Sequence, residues 1–206
     1  MTDQPTLSPD GLSPDALGRA LSDIVTFVDE NGWDQPPILF ALVPTATLAQ
    51  TQPDLIDPDD DSELSPIAQE SLPIGSEPSG NADLEHILAT TTWPAPVTGA
   101  ALVQEILVLP PEAEADLDTA FLQVPGDPDD PTGGDAVLRA SADAHPGARP
   151  ARLAIGALRD GRTLALMQLR PERGADPAGI ELLTHHDLAT DLRAALAHTL
   201  DHGPDS

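Results

Sequence analysis

The sequence predicts an α+β fold: a mostly antiparallel five-stranded sheet with helices packed on one face and a long acidic insertion. Residues 99–111, GAALVQEILVLPP, are the longest near-continuous apolar run of the chain. A short run with apolar residues on both alternating faces is typical of a central strand. Two apolar segments flank Asp160-Gly161, a dipeptide typical of a tight hairpin turn. Segments with apolar residues at helical spacing lie before, between and after these strands.

Length and composition are those of one domain. The chain has 206 residues, of which 40% are hydrophobic and only 2% aromatic, so we expect an aliphatic core. We expect a disordered tail at 1–13, a single α+β domain at 14–200 and a second tail at 201–206. Acids, prolines and serines dominate about 52–80 and 125–135, a composition typical of flexible loops.

Three main helices are predicted from capping signals and apolar spacing. Ser13-Pro14-Asp15 combines an N-cap residue, a proline at the first helical position and an acid in the first turn. A helix over 14–31 follows, with one apolar face: Leu17, Leu21, Ile24 and Val28. A second helix is predicted over 81–90. A third is predicted over 185–200, with Thr184 and Asp187 resembling a capping box.

The predicted strands lie at 38–43, 67–72, 99–109, 152–158 and 163–170. The last two form the hairpin around Asp160-Gly161, and we expect it beside the 99–109 strand. Because both faces of this hairpin are largely apolar, both need cover. We expect helices on one face and part of a 111–150 insertion on the other.

A two-residue type I′ turn at Asp160-Gly161 would set the register of the hairpin. Pairing outward from that turn predicts these partners: Ala157 with Leu164, Ile155 with Leu166, Leu153 with Gln168, and Arg152 with Leu169. Register decides which side chains share a face, since a slip of one residue changes every pair.

The charge of the chain is strongly negative and unevenly distributed. The formal net charge is −26, and residues 1–138 contribute 26 acids and one Arg to it. Such a surface repels phosphate backbones and anionic lipids, so neither nucleic acid nor membrane is an expected partner. No apolar run is long enough to span a membrane and no signal-peptide pattern is present, so a cytoplasmic location is expected.

Missing residue types exclude several chemistries. The chain contains no Lys, Cys or Tyr, which rules out a P-loop lysine, a lysine Schiff base, thiol nucleophiles, thiolate metal sites and phenolic acids. We find no G-x-G-x-x-G, G-x-S-x-G or H-E-x-x-H motif. No cofactor is therefore predicted, and the sequence favours a function other than catalysis.

Two patterns resemble metal sites, and neither is complete. His198 and His202 lie four residues apart on the last helix, but no carboxylate completes the set, and solvated histidines at a helix end are the simpler interpretation. A calcium loop starting at Asp57 would have Ser62 where Gly is needed and Ala68 where Glu is needed. We predict no metal site.

Glu105 interrupts the apolar central strand together with Gln104. A buried carboxylate needs a partner or becomes protonated, and Arg152 or Arg170 of the hairpin are the candidates for that partner. One interpretation is a structural ion pair on a partly solvated face. The other is the base of a ligand pocket formed by Glu105, Arg152 and Arg170.

Trp33 and Trp93 each precede a proline-bearing turn into a strand. Packing at the rim of the core explains both residues. The alternative is that Trp33 and Trp93 are aromatic anchors for a protein partner, because Trp is enriched at the energetic centres of interfaces.

Four motifs of this chain resemble those of a family of uncharacterised actinobacterial proteins of about this length. They are GWDQPPxLFALVPT (32–45), WPxxVxGAALV (93–103), VLPPEAE (108–114) and RLAIGALRDGR (152–162). The resemblance spans roughly 14–200 and implies an actinobacterial, cytoplasmic origin. It carries no catalytic motif that could be transferred to this chain.

A non-enzymatic protein-binding or adaptor module, with a protein partner or self-association, is the function that the sequence favours. The absence of a catalytic constellation and the uneven charge support it. One alternative is a small-ligand binder or enzyme that uses Glu105 and an Arg. Another is an inhibitor that mimics nucleic acid with the acid runs at 59–61 and 127–130.

Overall fold

The computed structural model describes residues 11–55, 60–69, 80–110, 147–171 and 180–201. In chain order its elements are α1 (Ala16–Glu30), β1 (Ile38–Pro44), α2 (Thr45–Thr51), a 3-10 turn (Pro53–Leu55), β2 (Leu64–Ala68), α3 (Gly80–Thr90), β3 (Gly99–Val108), β4 (Arg149–Leu158), β5 (Thr163–Leu169), β6 (Leu182–Leu183) and α4 (Thr190–Asp201). This mixture of helices with one sheet confirms the predicted α+β class.

The strands form a single antiparallel sheet in the order β2-β1-β3-β4-β5-β6. β3 lies between β1 and β4, so the apolar run at 99–108 is a central strand as predicted, with the β4–β5 hairpin beside it. The described sheet has six strands instead of the predicted five, because β6 pairs with Met167 and Gln168 at the edge. A strand of two residues shows no alternation that sequence analysis can detect.

Helices cover both faces of the sheet, which corrects the prediction that they pack on one face only. α1 packs on the face that carries Phe40, Leu42, Ala101 and Val103. α3 and α4 pack on the opposite face, against the alternate residues of the same strands: Leu39, Ala41, Ala100, Leu102, Leu153 and Ile155. The physical reason is that β1, β3 and β4 are apolar on both sides, and either face would otherwise expose a contiguous apolar surface.

Several predicted segments lie outside the described residues. These are most of the two tails (1–10 and 202–206), parts of the first acidic loop (56–59 and 70–79), the insertion at 111–146 and a loop at 172–179. Leu12, inside the predicted tail at 1–13, is buried against α1 with 4% of its surface exposed. The remaining predictions for these segments stay predictions.

Several element boundaries differ from the predicted ones, and β4 begins at Arg149 instead of 152. The strand predicted at 67–72 begins earlier, at Leu64, and its last described residue in the sheet is Ala68. The helix predicted from 185 begins at Thr190. The reason is that the Thr184 hydroxyl donates a hydrogen bond to the Ala165 carbonyl (2.8 Å), so Thr184 is tied to the sheet edge and does not act as a cap.

The register of the β4–β5 hairpin differs by one residue from the prediction. Leu158 N–H donates to the Arg162 carbonyl (2.9 Å) and Gly161 N–H to the Leu158 carbonyl (3.0 Å), with Gly161 at φ +90°. This is a three-residue loop that ends in a glycine bulge, whereas the prediction assumed two residues. The observed pairs are Ala157 with Thr163, Ile155 with Ala165, Leu153 with Met167, and Arg152 with Gln168.

Candidate functional site

The corrected register brings buried polar side chains together at one end of the sheet. Arg152 lies opposite Gln168 on one side and opposite Glu105 on the other, and its side chain is fully buried. Its Nη1 donates to Asp29 Oδ1 (3.0 Å) and to Gln168 Oε1 (2.8 Å). Gln168 Nε2 in turn donates to the same Asp29 oxygen (2.8 Å). We call the side chains of Asp29, Glu105, Arg152 and Gln168 the Arg152 network.

The Arg152 network holds the loop that joins α1 to β1. Arg152 Nη2 donates to the Gly32 carbonyl (2.7 Å) and lies 3.8 Å from Glu105 Oε1. Glu105 accepts the backbone N–H groups of Asp34 (3.0 Å) and Gln35 (3.2 Å). Asp34 has a positive φ of 67°, which costs energy for a residue with a Cβ. The carboxylate of Glu105 thus stabilises a loop conformation that the chain alone disfavours.

Trp33 lies beside two guanidinium groups. The Cζ atom of Arg152 is 4.4 Å from the centroid of the Trp33 ring, and that of Arg170 is 5.3 Å away, both within cation–π range. Arg170 also makes two parallel hydrogen bonds to the Asp34 carboxylate (3.2 and 3.1 Å). The hydrogen bonds to Asp34 raise the pKa of Arg170 above the usual value of an arginine. Trp33 is half-buried, so part of its ring remains at the surface.

The structure therefore brings together Glu105, Arg152, Arg170 and Trp33, four of the residues that the sequence singles out. The contacts of Glu105 and Arg152 match the structural ion pair of the first interpretation, because their groups bind each other and the loop at 32–35. Arg152 has no exposed surface to offer a ligand. A ligand pocket at Glu105, Arg152 and Arg170, and a partner at Trp33, stay predictions.

Trp93 lies in the core, far from solvent. It is 5% exposed, and its Nε1 donates to the Thr199 hydroxyl of α4 (2.9 Å). Arg159 donates hydrogen bonds to the carbonyls of Trp93 (3.1 Å), Val97 (2.8 Å) and Leu200. It therefore connects the segment before β3 to α4. Trp93 thus connects α4 to the segment before β3, and a protein partner at Trp93 stays a prediction.

One cluster of possible metal ligands lies in the described part of the chain, at His185, His186 and Asp187, before α4. Their ligand atoms lie within 4.8 Å of one another. The side chains are exposed by 65%, 79% and 73%, and the carboxylate pairs with His186 Nε2 at 2.9 Å. The sequence analysis missed this set because it lies in a turn and has no helical spacing. The sequence also suggests His198 and His202 as a pair of possible metal ligands. Nδ1 of His198 lies 3.6 Å from Oδ2 of Asp201, and His202 is outside the described residues.

A groove of about 820 Å³ runs beside the first half of α1. Its base is apolar and mostly buried, and consists of Leu17, Leu164, Leu166 and Leu182. Its rim is charged and consists of Asp15, Arg19, Asp23, Asp61 and Arg162. We call this feature the α1 groove; it contains none of the residues of the Arg152 network.

The rim of the α1 groove concentrates negative charge. Partial burial is the larger cause that raises the pKa of Asp23 above its usual range, and the like charge of the neighbouring Asp60 adds to it. Arg162 is engaged elsewhere, since it pairs with Asp160 (2.7 Å) and donates to the Ser13 carbonyl (2.6 Å). The sequence analysis did not predict this groove, because its parts come from segments over 100 residues apart.

Glu63 fixes the start of α1 at one end of the groove, and this makes the stability of the fold depend on pH. Ser13 N–H donates to Glu63 Oε2 (2.6 Å), and hydrogen bonding from Ser13 lowers the pKa of Glu63 below 4.5. A carboxylate whose pKa falls on folding stabilises the fold above its unfolded pKa, and the effect is lost as pH falls through its folded pKa. We expect Glu63→Gln to cost about 1 kcal/mol at pH 7, measured by urea unfolding.

The same measurement from pH 7 to pH 3 tests the cause. The difference between wild type and Glu63→Gln should begin to shrink below pH 4.5 and should be lost as the pH falls through the lower pKa of Glu63 in the folded state. Glu30→Gln, an exposed change at the far end of α1, is the matched control and should cost less than about 0.5 kcal/mol. A difference between wild type and Glu63→Gln that stays constant down to pH 3 contradicts this account.

Comparison with known proteins gives a match at the level of the family. The model of a family described as PPA1309-like protein matches residues 17–201, and this confirms the family resemblance that the motifs predict. No curated protein and no solved structure shows significant similarity to the chain. Among the helices in the described ranges, none combines the length and the apolar character needed to cross a bilayer.

Proposed function

We propose that this chain, which belongs to the PPA1309-like protein family, is a non-enzymatic cytoplasmic module that binds another protein through the α1 groove. The observation that carries this proposal is the pairing of an apolar base with a charged rim in one concave surface. Binding sites commonly combine a hydrophobic base with a few placed polar groups. Protein binding is the function that the sequence favours by exclusion, and the apolar base and charged rim of the α1 groove support the same proposal.

The dimensions of the α1 groove suit a peptide segment. Its helical side runs from Leu17 to Asp23, which is about 9 Å at the rise of an α-helix. An extended chain covers this length in about three residues. Leu164 and Leu182 in its base are only partly buried, so apolar side chains of a bound segment would remove them from water.

The chemistry of the groove supports binding over catalysis. Its lining contains hydroxyls and carboxylates but no His, and the chain has no Lys, Cys or Tyr. Nucleophilic catalysis by a hydroxyl needs a positioned base to activate it. Ser22, Ser62 and Thr163 have no imidazole beside them in the lining.

A change of one leucine in the base tests the proposal. The probe is a display library of random 12-residue peptides, selected on the immobilised full chain. We expect Leu182→Gln to weaken the selected peptides by about tenfold, because it removes one apolar contact of about 1–2 kcal/mol. Leu183→Gln is the matched control: Leu183 is the next residue of β6, lies on the opposite face and is 37% exposed. It should change affinity by less than twofold.

Three results overturn the proposal. The first is a selection that yields no peptide above background. The second is equal weakening by Leu182→Gln and Leu183→Gln, because the effect would then not depend on the groove. The third is loss of binding in Trp33→Leu together with full binding in Leu182→Gln, which would place the site on the Trp33 surface instead.

A further inference from the structure

We infer that the occupant of the α1 groove is a cationic segment of a partner protein, in which Arg or Lys side chains flank apolar anchors. This inference rests on the proposed function and adds the chemical class of the partner. It is carried by the net negative charge of the groove, by three of its acids that make no ion pair in the described chain, and by the apolar base beneath them.

The groove and its immediate surroundings carry six carboxylates and two guanidinium groups, a net charge of −4. The carboxylates belong to Asp15, Asp23, Asp60, Asp61, Glu63 and Asp160. Within the described ranges, Asp15, Asp23 and Asp61 make no ion pair. Bringing like charges together without counter-ions costs energy, and a bound cation removes that cost.

In the described chain, neither guanidinium group of the groove forms an ion pair with these three acids. Arg162 pairs with Asp160 and donates to the Ser13 carbonyl. Arg19 and Arg162 both act electrostatically on Glu63, where they lower its pKa. The positive end of α1 is engaged as well, because Glu63 accepts the Ser13 N–H next to it. The three acids that make no ion pair in the described chain, Asp15, Asp23 and Asp61, are therefore the candidates for pairing with a bound cation.

The apolar base selects a protein segment over a small free cation. Leu164 and Leu182 are partly exposed beside the acids, and a cation without apolar groups would leave them in water. Anionic ligands, including nucleic acid, are repelled by the same acids. A second copy of this chain is disfavoured by its own net charge of −26, since two such surfaces repel at long range.

Three synthetic peptides test the inference by fluorescence anisotropy on the full-length protein. Each has ten residues, three of them Leu and four of them Arg, Gln or Glu at the same positions. At 50 mM NaCl we expect the Arg peptide to bind at least about tenfold more tightly than the Gln peptide, and the Glu peptide more weakly than both. The advantage of the Arg peptide should fall at 500 mM NaCl, where charges on the surface are screened.

A charge reversal shows whether the preference arises in the groove. Asp23→Arg should remove most of the advantage of the Arg peptide over the Gln peptide and strengthen binding of the Glu peptide. Asp191→Arg changes the net charge equally but lies on α4, across the sheet, and it should keep the preference within about twofold.

The outcomes separate this inference from the proposed function. If the Arg and Gln peptides bind equally, and Leu182→Gln weakens both, the cationic partner is wrong and the binding groove stands. If Asp23→Arg and Asp191→Arg reduce the preference equally, the overall charge of the chain explains it and the inference falls. If none of the three peptides binds and the library selection also fails, both proposals fall. Both proposals are supported if Leu182→Gln weakens binding of the Arg peptide and Asp23→Arg removes the preference for the Arg peptide over the Gln peptide.

Discussion

Replacing Arg152 with Met is expected to lower the free energy of unfolding by about 3 kcal/mol. The guanidinium group of Arg152 is fully buried and donates hydrogen bonds to Asp29, Gln168 and the Gly32 carbonyl. Met fills a similar volume but leaves these acceptors without donors, and an unpaired buried group costs its full desolvation energy. The expected loss is no larger because Asp29 keeps 34% of its side chain in water, and water can partly solvate its carboxylate when the Arg152 partner is removed.

Urea unfolding followed by tryptophan fluorescence measures this effect, because Trp33 lies against Arg152 and reports on the same loop. The matched control is Arg149→Met, in the same strand but exposed, with an expected change within about 0.5 kcal/mol. Equal effects of the two changes, or a loss below about 1 kcal/mol in Arg152→Met, would mean that the Arg152 network contributes little to stability.

Gly99→Ala is expected to lower the free energy of unfolding by about 1–3 kcal/mol, because the added methyl group overpacks the contact between the central strand β3 and its neighbour β4. A Cβ at this position would lie 2.6 Å from the Ala157 carbonyl oxygen and 2.5 Å from Leu158 Cδ2. The carbonyl is backbone of the neighbouring strand β4, so relief requires β3 and β4 to separate. That displacement would disturb the hydrogen bonds between β3 and β4, on which the packing of both faces of the sheet depends.

Gly18→Ala is the matched control for this glycine. It lies inside α1, and its Cβ would meet only Leu164 Cδ2, at an ordinary contact distance of 3.7 Å. Alanine restricts the unfolded chain more than glycine does, so we expect a gain of about 0.5–1 kcal/mol. Thermal or urea unfolding of both variants decides the point: a neutral Gly99→Ala, or a destabilising Gly18→Ala, contradicts the packing described here.

Local patterns predicted the scaffold well. The near-continuous apolar character of 99–108 placed β3 in the centre of the sheet, because only a strand with neighbours and two covered faces can bury such a run. The spacing of Leu17, Leu21, Ile24 and Val28 predicted α1 within two residues at each end. The same doubly apolar strands implied cover on both faces, and assigning helices to one face only was wrong.

Features that depend on turn geometry or on distant contacts could not be predicted. The glycine bulge at Gly161 changed the hairpin register by one residue and paired Arg152 with Gln168 instead of Leu169. A dipeptide such as Asp160-Gly161 fits both loop lengths, so sequence does not decide between them. Glu105 was singled out correctly as needing a partner, but its bonds to the loop at 34–35 come from residues some 70 positions away.

The α1 groove was beyond sequence analysis for the same reason. Its lining comes from the start of α1, the turn at 61–62 and the strands after 162. The acids of these segments were recognised only as part of an overall negative charge. What turns them into a candidate site is their position around a shared apolar base, and only the tertiary fold sets that position.

The most direct test of the binding function is a titration of the ¹⁵N-labelled full chain with the ten-residue Arg peptide, followed by ¹H–¹⁵N correlation spectra. We predict that the largest shifts fall on backbone amides at 15–23 of α1 and at 163–166 of β5, with little change at 31–35 or in α4. Shifts centred on the Trp33 loop or on α4, or no shifts at millimolar peptide, would contradict the assignment of binding to the α1 groove.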